Sequence, residues 1–179
     1  MTTTNRVFQV LLFAMMCSAL TVVSCNRKAA DGSQAEGDQV EEGWTVSENQ
    51  TAVASFRRTG CFGQCPIYRV SFYANGIAKY KGEAHVDYPG DYVGIYDRDR
   101  LKEIIDFAEK KGFFEMEDSY PVDDRYYIPD MSNTITMLST DQQTKTINHN
   151  NYGPDELKEI ENKLQRLVYS IVWQGITTK

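Results

Sequence analysis

The N-terminal stretch takes itself out of any folded core and sets the conditions under which the rest must fold. From Val7 to Val23 the chain is apolar except for Gln9, Cys17, Ser18 and Thr21. Arg6 is the one positive charge before this run, which closes on Val22-Val23-Ser24-Cys25. A membrane-spanning helix needs roughly 20 predominantly apolar residues. This run is shorter, carries polar interruptions and ends at a small residue followed by Cys, as a cleaved secretory signal does. Its last four residues resemble the bacterial lipobox, in which the Cys is acylated and becomes the new N-terminus. Residues 1–24 are therefore expected to be a lipoprotein signal peptide, and Cys25 a lipid-bearing residue with two or three acyl chains. Cys17 competes poorly, because the bulky Met16 precedes it. Asn26, rather than an Asp, follows Cys25. That favours the outer membrane, with a periplasmic or surface-facing orientation left open.

Removing residues 1–24 from the 179 leaves 155, enough for one domain with a real core and a tail. The 19 Lys and Arg against 25 Asp and Glu become 18 against 25, a net charge of −7. An acidic chain gives no support to nucleic-acid binding, which needs a basic face. It is also repelled by anionic headgroups, so the lipid on Cys25 is the expected membrane tether. Cys61 and Cys65 remain as an even pair. In an exported chain such a pair is usually a disulfide.

Residues 25–47 read as a flexible acidic tether. Asn26 to Glu42 holds Asp31, Glu36, Asp38, Glu41 and Glu42, and Val40 is its single large apolar residue. Such a segment cannot bury enough apolar surface to offset its chain entropy. The folded domain is expected over 48–179. Ala52 to Arg57, Ile67 to Tyr73 and Ile77 to Gly82 predict three strands, the third continuing through His85 to Tyr88. The Ala74-Asn75-Gly76 connection fits a three-residue loop, because that register alone places Phe72 opposite Ala78 and Val70 opposite Tyr80 on one apolar face. Pro89-Gly90 suits a type II turn, with Asp91 to Tyr96 returning as a fourth strand. Asp97 or Asp99 caps a helix bearing Leu101, Ile104, Ile105 and Ala108. Lys110-Lys111-Gly112 ends it, and Phe113, Phe114 and Met116 are expected to dock into the core.

Residues 117–132 read as irregular. Thr134 to Thr140 and Thr144 to His149 form a second hairpin. A last helix follows Gly153, with Pro154 at its first position and a stripe of Leu157, Ile160, Leu164, Leu167, Val168 and Ile171. Arg100-Leu101-Lys102-Glu103-Ile104 echoes Glu156-Leu157-Lys158-Glu159-Ile160. Both halves thus run hairpin then helix, an order compatible with duplication, although Leu-Lys-Glu-Ile is common helix vocabulary. The expected architecture is α+β: an antiparallel sheet of five to six strands with two helices on one face.

The sharpest local feature is Arg58-Thr59-Gly60-Cys61-Phe62-Gly63-Gln64-Cys65-Pro66-Ile67-Tyr68, followed by the Asn75-Gly76 turn, Tyr80 and Gly82. Over residues 50–172 this resembles a family of uncharacterised bacterial lipoprotein domains, the domain of unknown function DUF6438. The resemblance implies a fold unit and an envelope setting, and it carries no catalytic residue.

Three chemistries are open to Cys61 and Cys65. A structural disulfide is expected first, with Gly63 allowing the backbone to turn; a loop this short gains little closure entropy, so the bridge would mainly pin a local shape. A redox-active pair would normally be Cys-x-x-Cys in a thioredoxin-like setting, and neither spacing nor setting is met. A copper site would need a distant His, and His85 and His149 are the two candidates. His149 reads as a surface or strand-end residue, and His85 likewise sits among strand residues.

Asp118, Asp123, Asp124 and Asp130 lack the order of a Ca²⁺ loop. No nucleophile motif or phosphate-binding Gly loop appears, so no catalytic residue, metal or cofactor is assigned. Tyrosines are abundant, including Tyr68, Tyr73, Tyr80, Tyr88, Tyr92, Tyr96, Tyr120, Tyr126 and Tyr127. They suit half-buried sheet surfaces and interfaces, so an exposed tyrosine face is the best candidate for binding. The expected function is a non-catalytic binding or structural domain, tethered to the membrane and meeting a protein or other envelope partner. The alternative is a thiol-dependent redox or copper-handling protein using Cys61 and Cys65.

Overall fold

The computed structural model describes residues 50–176. The signal segment, Cys25 and most of the tether lie outside the described residues. Eight strands form one sheet: β1 (Ala52–Arg58), β2 (Ile67–Tyr73), β3 (Ile77–Ala84), β4 (Gly90–Ile95), β5 (Ser119–Tyr120), β6 (Thr134–Ser139), β7 (Thr144–His149) and β8 (Gln174–Gly175). Helices α1 (Arg98–Lys110) and α2 (Asp155–Tyr169) complete the set. The spatial order is β5-β7-β6-β1-β2-β3-β4-β8. Every pair is antiparallel except β5 with β7. The fold is therefore α+β as expected.

The expected strand count of five to six is too low. The six longer strands fall where their hydrophobic alternation predicts. The other two, β5 and β8, are two residues each at opposite edges of the sheet. A two-residue strand carries no periodicity of its own, and each exists because a neighbouring edge offers free backbone groups.

Alternation selects the inner face. Ala54 and Phe56 on β1, Val70 and Phe72 on β2, and Leu138 on β6 are buried and join one core with Leu101 and Ile104 of α1 and Leu157, Ile160, Leu164 and Leu167 of α2. Both helices thus cover the same face. The β2–β3 hairpin has the three-residue loop and the register Phe72↔Ala78, Val70↔Tyr80 and Ser71↔Lys79. Gly76 closes it at φ +89, a conformation that glycine adopts without the Cβ penalty. The Asn75 side chain accepts from Ile77 N at 3.1 Å, which locks the turn.

Asp97 is the cap of α1, accepting from Asp99 N and Arg100 N. Phe113 is fully buried beyond its end. Besides one-residue shifts at the ends of β1, β4 and β6, two boundaries differ from the sequence pattern for a local reason. Strand β3 stops at Ala84, because His85 turns to φ +53 and the chain leaves the sheet. Pro154 is the N-cap of α2, with Asp155 first in the helix, so the chain enters one residue later than its Pro signal implies.

Candidate functional site

The inner face is apolar along most of its length and polar at one end. Period-two alternation carries Ala54 and Phe56 on to Arg58, which therefore points inward too. Arg58 pairs with Tyr68 on β2 and with Thr134 on β6, and Thr134 pairs with His149 on β7. A polar row thus crosses four strands under α2. The Arg58 guanidinium donates from Nη1 to Thr134 Oγ1 at 2.7 Å. His149 Nδ1 lies 2.9 Å and 3.0 Å from the two carboxylate oxygens of Glu161. Both residues are 8% exposed. Burial pushes the Glu161 carboxyl above the ordinary carboxylate range, while the bond from His149 and the charges of Arg58 and Lys158 pull it partly back. Gly153 makes room for the imidazole: a Cβ there would stand 2.6 Å from His149 Nε2.

A cavity of about 550 Å³ opens over this end, bounded by Arg58, Met131, His149, Glu161 and both cysteines. The cysteines are joined in a disulfide with a Cα–Cα distance of 5.7 Å. The bridge pins the loop that leaves Phe62 89% exposed. Backbone bonds tie this loop to the segment before β6: Thr59 N donates to Asn133 O, and Phe62 N to Asp130 O, each at 3.0 Å. Asn150 holds the same segment, its amide donating to Ile128 O at 3.1 Å and to Asn133 Oδ1 at 2.7 Å.

On the other side of the row lies an aromatic cleft of about 400 Å³, with Tyr68, Tyr80, Tyr88, Tyr169 and Trp173 in its walls. Tyr68 and Tyr80 stack at 5.5 Å, and Trp173 sits 5.1 Å from Tyr80. Tyr88 meets Tyr80 and Tyr92 edge-on. His85 and Asp87 add polar groups to the lining.

The cleft depends on Gly82, over which residues 85–88 fold. A Cβ at that position would stand 2.0 Å from Tyr88 O. The Tyr68 hydroxyl is buried and meets no hydrogen-bond partner among the described residues, although Tyr169 is its close neighbour. Burial pushes the Tyr68 phenol up, with the Tyr169 phenol adding to the shift. Burial, then Asp87, holds Tyr80 up to about 12.

The expected site residues divide between these hollows. Cys61 and Cys65 form the expected disulfide and line the polar cavity. His149, read from sequence as a surface or strand-end residue, does end β7 but is not at the surface: it is buried against Glu161, because its strand position faces α2. His85 lines the aromatic cleft. The four aspartates do not converge: Asp123 binds Arg125, and Asp118 pairs with Lys145 across to β7. Among the described residues, no group of three or more His, Cys, Asp or Glu is placed to hold a metal ion. Glu161, Tyr169 and Trp173 went unremarked in the sequence, and Arg58 appeared there only as the first residue of the cysteine motif. Arg58 continues the alternation of β1, and Glu161 follows Leu157 by four residues inside the buried stripe, so both carried a periodicity signal.

Comparison with known proteins adds a family and no function. No curated protein and no solved structure matches the chain. A family model described as a domain of unknown function, DUF6438, matches residues 52–168, and the chain belongs to that family.

Proposed function

We propose that this DUF6438 member is an envelope-anchored lipoprotein whose domain binds a partner without catalysing a reaction. The lipid on Cys25 tethers it to the outer membrane, and the aromatic cleft is the contact surface. The observation that carries this reading is the cleft itself. Five rings from β2, β3, the β3–β4 connection, the end of α2 and the segment after it face one hollow, and Tyr169 at its wall is 69% exposed. Tyr and Trp offer large rigid surfaces with polar tips, and they anchor interfaces at small entropic cost.

Two measurements test it. Metabolic labelling with a fatty acid is expected to mark the wild type and to miss Cys25→Ala. Labelling that survives the substitution removes the anchor. Affinity purification from chemically crosslinked envelopes then compares wild type with a Tyr169→Ala/Trp173→Ala double variant. A partner whose recovery depends on the two rings is expected. Recovery that ignores them refutes the cleft as the contact.

A second reading uses Cys61 and Cys65 as thiols, in redox chemistry or copper handling. It is favoured by their place in the wall of the cavity that also holds His149 and Glu161. Metal content and free thiols in protein isolated from the envelope separate the two readings. A fully oxidised, metal-free pair resistant to mild reductant supports the binding domain. Stoichiometric metal supports the second reading.

A further inference from the structure

We infer that the cavity beside the Cys61–Cys65 loop is a second binding site, for a ligand bearing a carboxylate, with the Arg58 guanidinium as its receptor. The site is separate from the aromatic cleft and does not depend on it.

The argument starts from an unfilled cation. Arg58 is half-buried at the inner end of β1 and faces the cavity. A guanidinium has five N–H donors in a planar fork and no acceptor. Among the described residues its one side-chain bond is from Nη1 to Thr134 Oγ1, and no carboxylate lies within ion-pair distance of it. The nearby buried acid, Glu161, feels the Arg58 charge but forms no ion pair with it; its two oxygens share the single His149 Nδ1. Asp130 also lines the cavity, but it forms no ion pair among the described residues, and its backbone carbonyl takes the Phe62 N–H. A cation withdrawn from water without a partner is costly, and the open cavity lets a ligand supply one.

The surroundings narrow the ligand. A planar fork matches a carboxylate through two parallel bonds. One Arg, with no second Lys or Arg in the lining among the described residues, suits a single negative charge better than a phosphate dianion. Ile128, Met131 and the disulfide form the apolar part of a wall that also holds Ser132, Thr134 and Asn150, so the ligand presents an apolar side beside polar groups. A volume of about 550 Å³ is in the range of small-molecule sites. The carboxylate can belong to a free aliphatic acid or to the C-terminus of a polypeptide.

The test is calorimetry and guanidinium NMR on the full chain, with four probes: N-acetylleucine, its amide, and a leucine-ended tetrapeptide with a free or an amidated C-terminus. At least one of the two acids is expected to bind and to shift the Arg58 guanidinium resonances, while both amides leave them unmoved. Arg58→Gln should weaken acid binding by about tenfold or more, since it removes a charge-assisted bond. Arg58→Lys should retain part of it.

If N-acetylleucine binds as well as the tetrapeptide, the source is a small acid. If the tetrapeptide binds about tenfold tighter, it is a chain terminus. Amides that bind like their acids, an Arg58→Gln protein that binds like wild type, or no binding of either acid to the wild type would each overturn the inference. Should Arg58→Gln fail to fold, the wild-type resonance shifts decide alone.

Discussion

The aromatic cleft and the polar cavity meet at the paired residues Arg58 and Tyr68, yet they are assembled in different ways. Most of the cleft comes from one continuous run, β2 through the β3–β4 connection, with the end of α2 and Trp173 closing it. The cavity gathers Arg58, the disulfide loop, the segment before β6, the end of β7 and the middle of α2. The cleft offers ring faces that can be wetted or covered at little cost. The cavity holds polar groups that are buried and paired, and a buried group that loses its partner bears the full desolvation cost. Damage to the buried His149–Glu161 pair should therefore appear as lost stability, and damage at the cleft rim as lost binding.

The largest effect is expected at the buried pair. Glu161→Ala strands the His149 imidazole and should destabilise the domain by about 3–5 kcal/mol. Tyr169→Ala, at an exposed ring, should change stability by no more than about 0.5 kcal/mol. Urea unfolding of both variants checks the contrast, and equal losses would erase the distinction between the two regions.

Next come the two glycines that open space. A Cβ at Gly82 would press on the backbone carbonyl of Tyr88, whereas one at Gly153 would press on the His149 side chain. Both alanine variants should cost about 1–3 kcal/mol. Gly82→Ala should cost more, because backbone yields less readily than a ring, and thermal unfolding ranks them.

The cleft also has an alkaline signature. Tyr80 and Tyr68 keep their protons in the fold above the ordinary phenol value of 10.0. The native state therefore binds more protons than the unfolded one once pH passes that value, and stability falls as pH rises. For Tyr80 the loss runs from 10.0 to about 12. Unfolding free energies measured across that window should decline, and Tyr80→Phe should flatten the decline. Stability that rises with pH there contradicts the assignment.

The smallest effect is expected at His85, whose φ of +53 is unusual for a residue with a side chain. His85→Gly should gain up to about 1 kcal/mol by relieving that conformation and, if the imidazole contacts the partner, weaken binding. A loss of stability measured by denaturant unfolding would mean that the side chain supports the cleft.

The same contrast explains what could be read in advance. The β2–β3 register followed from Val70, Phe72, Ala78 and Tyr80, because only one slip of the hairpin gathers them on a single face. The Asp97 cap, the Gly76 turn and the stripe of α2 are likewise local, and they were legible. The polar row was legible only in part: the expected β6–β7 hairpin sets Thr134 beside His149, but Arg58 joins them through the β1–β6 pairing, and a sequence does not show which distant strands will pair. Strands β5 and β8 were missed for the same reason. The burial of His149 at its strand end was missed because its strand has Thr, Ile and Asn around it, and the acid that buries it lies on α2 twelve residues later. Trp173 follows α2 in a segment with no period of its own, so its arrival in the cleft was not visible either.

The most direct test of the binding role is a photo-crosslinking residue placed at Tyr169, read in intact cells beside the same probe at Asp141, in the exposed turn at the opposite end of the sheet from Thr134. Occupied by its partner, the cleft should yield a discrete adduct from position 169 that Trp173→Ala abolishes, with none from position 141. Equal crosslinking from both positions, or none from position 169 while the lipid-bearing protein is correctly localised, would contradict a binding function for the aromatic cleft.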